Sequence, residues 1–156
     1  MAEIKGYVRP SPFEAGVGPQ IEVLKAAGAE MLFEEKLLSG EADRPALRRA
    51  LDGLGTGDTL LVVSLDRLAR TTTELFYILE EIIRRGASLL SLKEGLCVGA
   101  DDAETHAGLA FMRDLGLIID FERVSLREWQ HESIEGTKAR RERGPYGARR
   151  RTDTLR

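Results

Sequence analysis

Over the first hundred residues, apolar positions follow two rhythms. Short aliphatic runs stand at 4–8, 30–33, 59–65 and 87–92, with the length and branched content of buried strands. The stretches between them repeat at helical spacing. Ile21 and Leu24 lead into Ala26-Ala27-Gly28, and Leu47, Ala50, Leu51 and Leu54 follow Pro45, a residue suited to a helix's first turn. Leu75, Ile78, Leu79, Ile82 and Ile83 make a continuous one-sided stripe. Thr71 and Glu74 have capping-box spacing ahead of it, and Gly86 stands where it should stop. Strands alternating with helices predict an α/β fold: a mostly parallel sheet of four to five strands with flanking helices. The unbroken Leu60-Leu61-Val62-Val63 predicts a strand covered on both faces.

Beyond Gly99 the rhythm turns helical and stays so. Asp101 and Glu104 form a second capping-box pair, and no proline follows before Pro145. One helix of about 40 residues would run about 60 Å, longer than a domain of this size can cover. Its first half is apolar around most of its circumference, from Leu109 through Phe111, Leu115, Ile118 and Ile119 to Phe121. Such a helix needs partners on more than one side, here its own sheet and a second subunit. From Glu122 it turns polar and grades into an arginine-rich end.

Composition narrows the class. With 156 residues, 42% apolar and 31% charged, the chain has the make-up of one globular domain rather than a disordered one. No apolar run approaches the roughly 20 residues of a membrane span. The start, Met1-Ala2-Glu3-Ile4-Lys5, lacks a signal peptide's apolar stretch, so a cytoplasmic protein without a membrane partner is expected. One cysteine, Cys97, leaves no internal disulfide framework.

The net charge of −3 argues against a polyanion as partner, but its distribution argues the other way. Residues 136–156 hold eight basic side chains against two acids, a net +6, which leaves −9 for 1–135. A basic arm on an acidic globule suits a phosphate backbone. A solvated terminus has the same composition.

Several chemistries drop out. Gly16-Val17-Gly18 is followed by Pro19 and lacks a dinucleotide loop's third glycine. His106 and His131 have no cysteine or carboxylate at zinc spacing, so no metal site is expected, and no serine sits in a Gly-x-Ser-x-Gly elbow, which argues against an ordinary hydrolase triad. What remains is a gathering of hydroxyls and arginines at expected strand ends. Arg9-Pro10-Ser11 follows the first strand, Ser39-Gly40 with Asp43-Arg44-Pro45 precedes the second helix, and Asp66-Arg67-Leu68-Ala69-Arg70 follows the central strand. In a parallel sheet, ligands collect at those ends. Guanidinium forks there suit a multi-anionic, phosphate-bearing ligand, although each residue alone could be an exposed ion pair.

The same residues carry a resemblance. Gly6-Tyr7-Val8-Arg9-Pro10-Ser11 with Gln20, Ser39-Gly40 with Asp43-Arg44-Pro45, Gly57-Asp58-Thr59-Leu60 running into Leu65-Asp66-Arg67-Leu68-Ala69-Arg70, and Phe121-Glu122-Arg123 resemble the serine recombinase family of resolvases and invertases. The likeness spans residues 3–147 in one order. It implies a catalytic α/β domain (1–100), a long helix for dimerisation and DNA contact (101–143), and a basic arm (144–156) that is disordered without DNA. It also implies double-stranded DNA as partner, a homodimer that can become a tetramer during strand exchange, and a bacterial, phage or mobile-element origin.

The implied chemistry breaks and rejoins DNA through a 5′-phosphoserine, which conserves bond energy and requires no cofactor. By position Ser11 is the nucleophile. Arg9, Arg67 and Arg70 clamp the phosphoryl oxygens, and Asp66 orients an arginine or moves a proton. Gln20, Ser39, Arg44 and Arg123 support or position the phosphate, and Lys138, Arg140, Arg141, Arg149 and Arg150 contact the backbone.

Three departures from the family pattern stand out. Ser11 lies between Pro10 and Pro12, which stiffens a loop that moves in relatives. The segment before Glu135-Gly136 is about three residues long for a resolvase, and Trp129 falls where an arginine often stands. The chain also ends about 40 residues short of relatives with a major-groove helix-turn-helix. These departures keep a second reading open, a catalytically impaired relative acting as an oligomerising DNA-binding module. A third is a small α/β regulator whose tail binds RNA or lipid.

Overall fold

A computed structural model describes residues 1–14, 16–36, 43–99 and 105–142. Its strands are β1 (Ile4–Val8), β2 (Met31–Glu34), β3 (Thr59–Val62), β4 (Ser88–Ser91) and β5 (Leu96–Val98). Its helices are α1 (Gly18–Ala26), α2 (Pro45–Asp52), α3 (Leu65–Leu68), α4 (Thr72–Arg84) and α5 (Thr105–Glu142). The sheet order is β2-β1-β3-β4-β5, all parallel except β5 against β4. From β1 the chain steps outward to β2, then returns past β1 to β3. The order therefore reverses between β1 and β3, and that crevice is where such sheets hold ligands.

Alternation along the strands sorts the core. Val8 and Leu61 pack with Leu24 of α1, and Ile4, Ile21, Leu32, Val63 and Leu90 close around them. Tyr7, Leu60, Val62 and Leu89 have the opposite parity and are fully buried too, so the inner strands are covered as the apolar run predicts. α2 packs on β1 and β2 with Ala46, Leu47, Ala50 and Leu51, and α4 packs on β4. Gly6 allows a close approach on β1, since a Cβ there would meet Leu32 Cδ2 at 2.6 Å.

Several expected boundaries are corrected. The third apolar run is not a strand through residue 65: β3 ends at Val62, and Leu65 opens the short α3. Its apolarity continues because Leu68 in that turn is also fully buried. The second run shifts by one, because the Glu30 amide already bonds to the Ile4 carbonyl ahead of the ladder. β5 has no counterpart in the sequence pattern, since three residues are too few to show a period. Thr71 does cap α4, with Oγ1 accepting from the Glu74 amide at 3.1 Å. The Glu74 carboxylate turns instead to the Arg70 amide and to Arg44. Asp101 and Glu104 lie outside the described residues.

The chain divides into two compact units, 1–116 and 117–156. Within the first, Leu115 of α5 is buried and Gly108 meets Val98 closely. Within the second, Leu117, Phe121 and Val124, spaced i, i+4, i+7 on one face, are exposed, as are Trp129 and Ile134.

Candidate active site

β1 and β3 are neighbours, with Gly6 opposite Leu61, so the segments leaving their carboxyl ends emerge side by side. Arg9 joins them. Its Nε donates to the Arg67 carbonyl at 3.0 Å, and its Nη2 donates to the Asp66 carbonyl. Both acceptors lie in α3, so the short helix is tied to the end of β1.

Ser11 follows on the β1 side, with only 8% of its surface exposed. Its Oγ accepts from the Phe13 amide at 3.2 Å, and its carbonyl accepts from the Glu14 amide at 3.2 Å. The two flanking prolines lack an N–H, so the turn takes its donors from beyond Pro12. Gln20, in the first turns of α1, holds the loop from the other side. Its Nε2 donates to the Arg9 carbonyl at 3.0 Å and to Glu14 Oε2 at 2.8 Å. Gln20 Oε1 is buried and meets no donor among the described residues.

The arginines converge from three segments. Arg67 Nη2 lies 2.8 Å from Glu14 Oε1 and 3.9 Å from Asp66 Oδ2. Arg44, at the entry to α2, is buried; it donates to the Leu68 carbonyl at 2.5 Å and pairs with Glu74. Arg70 is exposed, with its amide fixed by Glu74 Oε2 at 2.7 Å. Burial and the guanidiniums of Arg44, Arg70 and Arg67 pull Arg9 below the ordinary arginine value. That is the electrostatic mark of a cationic cluster. The Ser64 hydroxyl, with Arg67 close by, holds the Asp66 carboxyl below the usual range, so it stays ionised near neutrality.

Sequence reasoning missed the acids that organise these cations. Glu35, just past β2 and 6% exposed, accepts from the Ala46 and Leu47 amides at 3.3 and 3.2 Å and so caps α2. It also accepts from the Tyr7 hydroxyl at 3.2 Å. Burial foremost, with this carboxylate, pushes Tyr7 up to about 12 despite Arg44 and Arg9 nearby. The available signal was positional only, since Glu35 follows its strand as Arg9 follows β1. Glu14 carries the same kind of signal, three residues after Ser11.

Arg9, Ser11, Gln20, Arg44, Asp66, Arg67 and Arg70 are therefore brought together. Arg123, Lys138, Arg140 and Arg141 stand on α5 in the second unit, all four exposed. Ser39, Arg149 and Arg150 lie outside the described residues. Among the described residues no three histidine, cysteine or acidic side chains gather as metal ligands, and no helix is long and apolar enough to cross a membrane.

Comparison with known proteins points one way. The family described as Resolvase, N terminal domain matches residues 4–144. A DNA-invertase of Escherichia phage P1 is 36% identical over 145 residues, covering 93% of this chain and 74% of its own length. The serine recombinase gin of Escherichia phage Mu is 35% identical, covering 92% and 70%. The transposon Tn501 resolvase of Pseudomonas aeruginosa is 34% identical, covering 94% and 74%. A resolvase family site-specific recombinase from Streptococcus pneumoniae shares the fold with a TM-score of 0.70 at 18% identity, over 90% of this chain and all of that one.

Proposed function

Because the chain belongs to the resolvase family, matched along nearly its whole length, we propose that it is a site-specific recombinase domain that cuts and rejoins double-stranded DNA through Ser11. One observation carries this reading. Arg9 ties the turn that carries Arg67 to the end of β1, two residues before Ser11, and Arg44 ties to Leu68 of the same turn, two residues before Arg70, so the four arginines share the sheet's switch point with the Ser11 loop. Guanidiniums gathered there suit an anion with several oxygens.

In the reaction, Ser11 Oγ attacks the phosphorus and loses its proton. The P–O3′ bond breaks, and the departing 3′ oxygen takes up a proton. The product is a 5′-phosphoserine whose ester energy drives rejoining by the reverse step. Arg9, Arg67 and Arg70 stabilise charge growing on the phosphoryl oxygens, and Asp66 orients Arg67. Gln20, Ser39, Arg44 and Arg123 position the phosphate. Residues 1–100 act as the catalytic domain, and 101–143 as the helix that dimerises and contacts DNA. The arm at 144–156, with Lys138, Arg140, Arg141, Arg149 and Arg150, meets the backbone. Two copies pair through the apolar face of α5 and four assemble for strand exchange. A bacterial cytoplasm is the compartment this reading requires, since its relatives belong to phages and transposons.

The burial of Ser11 between two prolines favours a second reading, a silent module that binds DNA without cutting it. One experiment separates them. The protein is incubated with supercoiled plasmid, quenched with denaturant and assayed for protein joined to DNA 5′ ends. Attachment that disappears in Ser11→Ala establishes the enzyme. Binding without attachment establishes the silent module.

A further inference from the structure

Glu14 answers a question the arginine cluster raises: what neutralises Arg67 before DNA arrives. Its carboxylate bridges the two donors that converge on the Ser11 loop. Oε1 lies 2.8 Å from Arg67 Nη2, and Oε2 accepts from Gln20 Nε2 at 2.8 Å. The Glu14 side chain is 40% exposed, whereas that of Arg67 is only 16% exposed. The anion can therefore swing into solvent, and the cation cannot.

We propose that Glu14 is a placeholder, its carboxylate occupying the position between Arg67 and Gln20 that a DNA phosphodiester takes over. This rests on reading the arginines as a phosphate clamp. A phosphodiester and a carboxylate are both monoanions with two oxygens suited to a guanidinium fork, so the exchange on Arg67 leaves its charge balance unchanged. Because Glu14 sits three residues from Ser11, the departure of its carboxylate also removes the loop's side-chain ties to Arg67 and Gln20.

The test uses the full chain and inorganic sulfate, a tetrahedral anion whose charge does not change near neutrality. Sulfate affinity is measured by NMR titration for the native chain, Glu14→Gln, Glu14→Ala and each combined with Arg67→Ala. Both single variants should bind sulfate about fivefold more tightly, the range of a partly exposed ion pair, and the gain should vanish without Arg67. Circular dichroism confirms that each variant is folded. Unchanged or weaker sulfate binding in both folded single variants overturns the proposal, as does a gain that survives Arg67→Ala. Plasmid attachment is scored in parallel. A sulfate gain without attachment in any variant leaves the placeholder standing and defeats the recombinase reading. Ser11-dependent attachment without a sulfate gain does the reverse.

Discussion

Lys5 Nζ lies 2.5 Å from Asp58 Oδ2 at the amino ends of β1 and β3, the end of the sheet away from the arginines. Asp58 also accepts from the Glu3 and Gly55 amides at 2.9 Å, and Lys5 donates to the Gly53 carbonyl at 2.7 Å. The pair closes the loop before β3 onto β1 with every charge partnered.

This pair sets a pH dependence. The Lys5 hydrogen bond, then the two amides, bring Asp58 down from 3.8 to about 2. A lowered folded value means stability fully present above the ordinary value and lost as pH falls from 3.8 towards 2. Asp58 raises Lys5 above 10.5, so the stability it contributes is fully present below 10.5 and declines at higher pH. Asp58→Asn should remove this pair's share of the acid-side loss and cost about 3 kcal/mol at neutrality, read by urea unfolding.

Glu35 links Tyr7 to the first turn of α2, from which Arg44 enters the cluster. Glu35→Ala should cost about 1–3 kcal/mol, since it leaves buried donors without their acceptor. Ultraviolet titration of the native protein should show one of the three tyrosines ionising only at about 12. In the variant that value should fall yet remain above 10, because burial is the larger cause. The raised value also means stability present below pH 10 and lost as pH climbs towards 12.

Attachment to DNA should respond to two kinds of change near Ser11. Arg67→Ala should slow it by about 10²–10³. Pro10→Val with Pro12→Thr should accelerate it by freeing the loop, while costing about 0.4–1 kcal/mol per proline through the unfolded chain. Quenched time courses measure the first effect and thermal melts the second.

Leu117, Phe121 and Val124 share one exposed face of α5. If two copies meet there, Phe121→Glu should shift sedimentation at tens of micromolar to monomer while leaving the melt of the α/β unit unchanged. A native chain that sediments as a monomer would sink the dimer.

Deleting 136–156 removes eight basic residues. DNA affinity should then fall, and its log–log salt slope should flatten by about 0.9 for each phosphate that the shortened chain no longer neutralises. Electrophoretic shifts across a salt series read the slope.

The periodic elements were legible from sequence because periodicity is local. The stripe from Leu75 to Ile83, Pro45 opening α2 and the apolar run in β3 each state their burial within a few residues. The placement of Arg9, Ser11, Arg67 and Arg70 just past the carboxyl ends of strands was legible in the same way. What sequence left undetermined is who holds each charge. Glu14 meets Arg67 across 53 positions, Glu35 caps a helix begun ten residues later, and Lys5 finds Asp58 across 53 more. β3 and α3 divide at a point no hydrophobic pattern marks, because strand and turn are both buried there. These pairings follow from strand order and register, which bring distant segments within hydrogen-bond reach, and local alternation of apolar and polar residues does not encode that order.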